Sequence, residues 1–186
     1  MMDFTIHTTD TAPQDSRETL AAVVDKFGFV PNVVGVMAES PALLKAYATL
    51  SSLFEETSLT PTERNVVILA ISATNACSYC VAAHSVGATM QKVPADVIEA
   101  LRSGRPLSDG KLEALRRLAA AIVETRGYPK DDVVRAFLDA GYSRANLLEV
   151  IVGVGMKTLS NYTNHIAETP LDDAFQPARW SEPAET

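Results

Sequence analysis

Apolar residues in this chain recur at three- and four-residue spacings, and residues with helix-capping chemistry punctuate them. Lys111–Thr125 is the clearest case: Leu112, Leu115, Leu118, Ala119, Ile122 and Val123 share one helical face, and Gly127 and Pro129 end the pattern. Thr60-Pro61-Thr62-Glu63 sets a cap, a first-turn proline and an acid three residues after the cap, ahead of the apolar run Val66–Ala73. Ser40-Pro41 repeats that start for a helix through Leu43, Leu44, Tyr47 and Leu50 to about Glu56. Asp15 or Ser16 is expected to cap a helix through Thr19–Val24 that stops near Gly28, and Pro31 opens a short piece from Asn32 to Ala38. A helix beginning near Ala76 carries Cys77 to Met90, and Pro94–Leu101 forms a short one. Asp131–Ala140 stops at Gly141, and Ser143 caps a long helical region from Ala145 to about Ala167. No segment sustains period-two alternation. The reading is all-α, one helical domain over 1–186: N-terminal helices in 14–58, a core in 59–168, and a proline-bearing tail in 169–186. Phe175 and Trp180 of the tail are expected to anchor against a neighbour.

Composition narrows the function classes. The 186 residues are 47% hydrophobic and 21% charged, with a net charge of −7 and no long basic run. Nucleic acid and anionic membrane surfaces both need clustered Lys and Arg, so neither is an expected partner. The longest apolar stretches, Val66–Ala73 and Leu147–Met156, fall short of the roughly 18 residues that suggest a membrane span. Met1–Pro13 lacks a basic segment followed by an apolar one, so no signal peptide is expected and the cytoplasm is the default. Apolar helices such as Leu147–Met156 are more extensive than one small domain covers, which points to a homo-oligomer.

One internal echo stands out. With His84 set on His165, an offset of 81 residues, Val66–Ile71 overlays Leu147–Val152 and Cys80–His84 overlays Asn161–His165. Each segment is an apolar helix leading into a polar cluster that ends in histidine. This suggests a duplicated helix pair; the plainer alternative is that any two amphipathic helices can be aligned.

Candidate chemistry concentrates in Cys77-Ser78-Tyr79-Cys80-Val81-Ala82-Ala83-His84. On a helix Cys77 and Cys80 are neighbours, and Cys80 and His84 share a face. A thiolate near a helix N-terminus is stabilised by the helix dipole and free N–H groups. His84 can then accept or relay the proton that leaves the thiol. This equipment suits attack on a peroxide O–O bond or exchange with a disulfide. A zinc site built from Cys77, Cys80, His84 and His165 competes with that reading, although structural zinc sites usually pair separated ligand clusters. So does the plain alternative of two buried cysteines beside a core histidine. Glu63 reads first as a capping residue; Tyr79 reads first as packing, with a hydrogen bond to substrate as its functional alternative. His165, with Asn161 and Asn164, is a candidate pocket wall, and a satisfied structural histidine at a helix end is the equal alternative. No cofactor or metal is called for by the redox reading.

From Leu59 to Pro94 the sequence resembles the alkylhydroperoxidase D and carboxymuconolactone decarboxylase superfamily, on an apolar helix, a CxxC pair and a histidine four residues later. The resemblance implies an AhpD-like helical fold and an oligomer. It implies that Cys80 is the thiolate that meets peroxide, Cys77 its disulfide partner, and His84 part of a proton relay. The family's relay glutamate, twelve residues before the first cysteine, is replaced here by Asn65, which accepts no proton at neutral pH. Glu63 points to a different face, so either another carboxylate substitutes, with Glu149 on the paired helix the candidate, or peroxidase activity is weak. The expected function is a CxxC thiol-dependent peroxidase or disulfide reductase, taking a hydroperoxide and a thiol or disulfide electron donor. The alternatives are a non-enzymatic redox sensor and a decarboxylase-like enzyme using His84 or His165.

Overall fold

The structure is a computed structural model describing residues 3–183, and among these the regular elements are all helical. They are α1 (Gln14–Phe27), α2 (Asn32–Met37), α3 (Pro41–Glu55), α4 (Pro61–Thr74), α5 (Ser78–Met90), α6 (Ala95–Arg102), α7 (Gly110–Glu124), α8 (Asp131–Asp139) and α9 (Arg144–Ala167), followed by a 3-10 segment over Asp173–Ala178. The capping chemistry expected of α4 is realised in full. Glu63 N–H donates to Thr60 Oγ1 at 3.2 Å, and Thr60 N–H donates back to Glu63 Oε2 at 2.8 Å. Ser40 caps α3 and Ser143 caps α9.

α4 is the centre of the molecule, packed against α5, α6, α7 and α9. That is why its sequence is apolar on every side rather than on one stripe: Val66, Val67, Leu69, Ala70 and Ile71 are all buried. Phe54, Leu115, Leu118, Phe137 and Val150 complete this main core. Gly153 lets α9 approach α3 and α4 closely, because a Cβ there would lie 2.9 Å from both Phe54 Cε2 and Val67 Cγ1. A second, smaller core gathers Leu20, Val33, Val34, Met37 and Leu44 from α1–α3 around Cys77, Tyr79 and Cys80. The cysteines therefore sit where the N-terminal helices meet the α4–α5 hairpin.

Four expectations are revised. α1 begins after Pro13 without a side-chain cap, and Ser16 is buried inside it, donating its hydroxyl to Ala38 O at 2.8 Å. α5 begins at Ser78, because Ala76 takes a left-handed conformation (φ 50°) that ends the α4 turn and leaves Cys77 as the N-cap residue. Phe175 and Trp180 pack on their own chain: Phe175 meets Phe29 and Tyr79, and Trp180 Nε1 donates to Arg102 O at 2.7 Å. The second half of the internal echo is one unbroken 24-residue helix, α9, whereas the first half is divided between α4 and α5.

Candidate active site

The turn at Ala76 delivers Cys77 and Cys80 to the first turn of α5, where backbone N–H groups lack intrahelical partners. Cys77 N–H is tied to Ser72 O at 2.9 Å, which fixes the hairpin angle. Both thiols are free and buried. α9 crosses this helix start and brings three side chains inward. Asn164 Nδ2 donates to Cys80 Sγ at 3.2 Å. Asn161 accepts from Asn75 Nδ2 at 2.9 Å through its Oδ1, which turns its own Nδ2 toward Cys80 with no other partner. Lys157, wholly enclosed, places Nζ 2.8 Å from His84 Nε2.

These neighbours divide the two thiols. Burial pushes the Cys80 thiol up. The hydrogen bond from Cys77, the Lys157 charge and the amides of Asn161 and Asn164 outweigh it, and hold Cys80 below the ordinary thiol range. The Cys77 thiol is pushed up, first by its hydrogen bond to Cys80 and then by burial. Cys80 is thus the more acidic of the two thiols and Cys77 the less acidic. His84 is held well below its usual range, by burial and then by the Lys157 charge, so the imidazole is neutral. Its Nε2 is the ring nitrogen engaged by Lys157.

The remaining candidates are placed elsewhere. Tyr79 is buried beside Cys80, but its hydroxyl donates to Asp172 and accepts from Val33 N–H at 3.3 Å. Asp172 also accepts from Asn32 N–H at 3.1 Å, so this network straps the tail over α2 and α5. Glu63 is occupied by Thr60 and by Lys111 at 3.2 Å. Although burial pushes its carboxyl up, the Thr60 hydrogen bonds bring it below the ordinary range. Asn65 donates to Pro61 O at 2.8 Å and to Gln91 Oε1 at 3.0 Å. Gln91 lies just beyond the far end of α5, two turns past His84, or about 10 Å along the helix. Glu149 accepts from Ser58 N–H at 2.9 Å and Ser58 Oγ at 2.8 Å, two turns before Lys157, so it is not brought to His84. His165 is exposed and stacks on Tyr162 with ring centroids 6.3 Å apart, while its neighbour Asn164 faces inward. Among the described residues no three His, Cys, Asp or Glu side chains are grouped as metal ligands, so the Cys77–Cys80–His84–His165 set is not assembled.

Two contributors escaped the sequence reading. Lys157 had a visible signal: it is a lone charge set directly after the apolar run Val150-Ile151-Val152-Gly153-Val154-Gly155-Met156. Asn75 carried no signal, since its role is to orient Asn161 across two helices.

Residues 38–122, which span both cysteines and His84, match the model of the carboxymuconolactone decarboxylase family. No curated protein matches the chain in sequence. A peroxidase-related protein from Ralstonia eutropha JMP134, described as an alkylhydroperoxidase AhpD core, superposes with a TM-score of 0.80 at 22% identity, over 92% of this chain and 93% of that one. A peroxidase-related protein from Silicibacter sp. TM1040 superposes at 0.77 and 18% identity, over 94% and 97%. The debrominase Bmp8 superposes at 0.74 and 15% identity, over 89% and 90%. Among the described residues no helix is long and apolar enough to cross a membrane. The cysteine-bearing segment thus resembles the carboxymuconolactone decarboxylase family model, and the chain shares its all-helical fold along nearly its whole length with the two peroxidase-related proteins and the debrominase.

Proposed function

We propose that the chain is a thiol-dependent oxidoreductase that reduces organic hydroperoxides through a Cys77–Cys80 disulfide cycle. The observation that carries this reading is the asymmetry of the pair: Cys80 receives every available donor and Cys77 supplies one of them. The Cys80 thiolate attacks the terminal oxygen of the hydroperoxide; an S–O bond forms, the O–O bond breaks, and the departing alkoxide takes a proton. Cys77 then attacks the sulfenic acid at Cys80, a disulfide forms and water leaves. An external dithiol reduces the disulfide and is itself oxidised. The surrounding side chains, Leu20, Val33, Val34, Met37 and Leu44, favour an apolar hydroperoxide over a charged one.

Mass spectrometry after treatment with an organic hydroperoxide and quenching with an alkylating reagent tests the cycle. Two alkylatable thiols are expected to disappear together, and Cys80→Ser is expected to abolish hydroperoxide consumption. Retention of both thiols after oxidation would sink the reading.

A second reading is a non-enzymatic redox switch. It is favoured by the tail: Leu171 and Phe175 pack on the same small core as the cysteines, and Tyr79, between them, is bound to Asp172. Disulfide formation would then release the tail without sustained turnover. Stoichiometric oxidation with no catalytic consumption of hydroperoxide, in the presence of dithiol, would favour it.

A further inference from the structure

Lys157 is the one lysine buried among the described residues, and it lies in the middle of α9 with no accessible surface. A buried ammonium without a counter-charge is strongly disfavoured by desolvation. Among the described residues, no carboxylate lies within ion-pair distance of it. The start of α5, with its N-cap Cys77, presents Cys77, Cys80 and His84 toward it. On α3, the partly buried Tyr47 lies within the field of Cys80 and Glu55, and Glu55 is paired with Lys26. α2 has no ionisable side chain. On α4, Glu63 and Arg64 lie at the far end and are held by Thr60, Lys111 and Leu59 O. On α7, Glu113 is paired with Arg116. The acid left to balance Lys157 is Cys80, and the group in direct contact with it is His84 at 2.8 Å. The position where a relay carboxylate was expected is Asn65, turned to Gln91.

We propose that Lys157 stores the proton of the thiol cycle: as an ammonium it is the counter-ion of the reduced Cys80 thiolate, and when oxidation removes that charge it passes its proton through His84 to the departing oxygen. The inference rests on the hydroperoxide reading above. The balance is closed. Thiolate, ammonium and hydroperoxide become sulfenic acid, neutral amine and alcohol. His84 gives its Nδ1 proton to the alkoxide and takes the Lys157 proton at Nε2. When the dithiol later reduces the disulfide, the proton of the restored Cys80 thiol returns to Lys157 by the same imidazole. The buried pair is neutral overall in both states, so neither half of the cycle leaves a lone charge in the apolar interior. Lys157 acts through His84 and does not touch substrate; it is a positioning and proton-storing residue.

The charge state of Lys157 in the two redox forms tests this directly. Protein labelled with ¹⁵N-lysine is examined by NMR at neutral pH, reduced and after diamide oxidation to the Cys77–Cys80 disulfide, with Lys157→Met used to assign the signal. An ammonium nitrogen in the reduced protein and a neutral amine in the oxidised one is expected. The same protonation state in both forms would overturn the inference while leaving the disulfide cycle standing. Failure of the disulfide to form would overturn the cycle and the inference with it. Lys157→Arg adds a kinetic arm, because arginine keeps the charge but cannot release its proton. Its Cys80 alkylation profile against pH is expected to stay near that of the wild type, while hydroperoxide turnover falls about 10²-fold or more, the range of a lost general acid. Unchanged turnover in that variant would refute proton storage.

Discussion

Asn164→Leu isolates one hydrogen bond to the reactive sulfur. In the native site Asn164 Nδ2 lies 3.2 Å from Cys80 Sγ, while its Oδ1 is buried without a partner. A hydrogen bond to a charged group contributes about 1.5–3 kcal/mol. One pKa unit corresponds to about 1.4 kcal/mol. Losing this donor therefore raises the Cys80 pKa by about one to two units, and the apolar leucine adds desolvation in the same direction. Fold stability should change little, since the substitution of similar size also removes an orphaned acceptor whose burial costs about 1–3 kcal/mol. The assay is the rate of iodoacetamide alkylation against pH, with the Cys80 peptide quantified by mass spectrometry. The midpoint should move upward from its native position below the ordinary thiol range toward that range. A profile that superimposes on the wild type, in a variant with unchanged thermal unfolding, would refute the assignment of Asn164 as a thiolate donor.

Because His84 is held neutral by burial and by Lys157, the pH profile of Cys80 alkylation should show no inflection in the ordinary histidine range near 6.5; a clear step there would contradict the depressed His84. Ala76 occupies a left-handed conformation at φ 50°, so Ala76→Gly should stabilise the chain by about 0.5–1 kcal/mol, read by urea denaturation; a loss of stability would show that the turn is not strained. Gly153→Val should destabilise by about 1–3 kcal/mol or more through overpacking against Phe54 and Val67, whereas Gly155→Ala, whose Cβ meets only Leu50 Cδ1 at 3.9 Å, should stabilise by up to about 1 kcal/mol through helix propensity. Equal thermal shifts for the two would argue against close α3–α9 packing. Leu148, Ile151, Tyr162 and Ile166 are exposed along α9, and a second copy is expected to cover them; light scattering that returns a mass near 20.0 kDa at micromolar concentration would dismiss that expectation.

Local chemistry was legible in the chain itself. Thr60 and Glu63 cap α4, and Ser143 caps α9, because capping involves groups three residues apart, which sequence displays directly. Cys77, Cys80 and His84 share the start of α5 for the same reason: helical spacing alone sets their neighbourhood. The choice among distant partners was not legible. Glu149 and Lys157 lie on one helix two turns apart, and only the way α9 crosses α5 decides that Lys157 meets His84 while Glu149 meets Ser58. Asn164 and His165 are adjacent in sequence, yet the rotation of α9 sends the amide to Cys80 and the imidazole to the surface. Asn65 stands at the expected distance along the chain from Cys77, but the antiparallel α4–α5 hairpin carries it to Gln91. Periodicity specifies which face of a helix is apolar; it carries no information on the register and rotation between helices. Those are set by side-chain packing at contacts such as Gly153 against Phe54, and they are what placed the buried Lys157 beside His84.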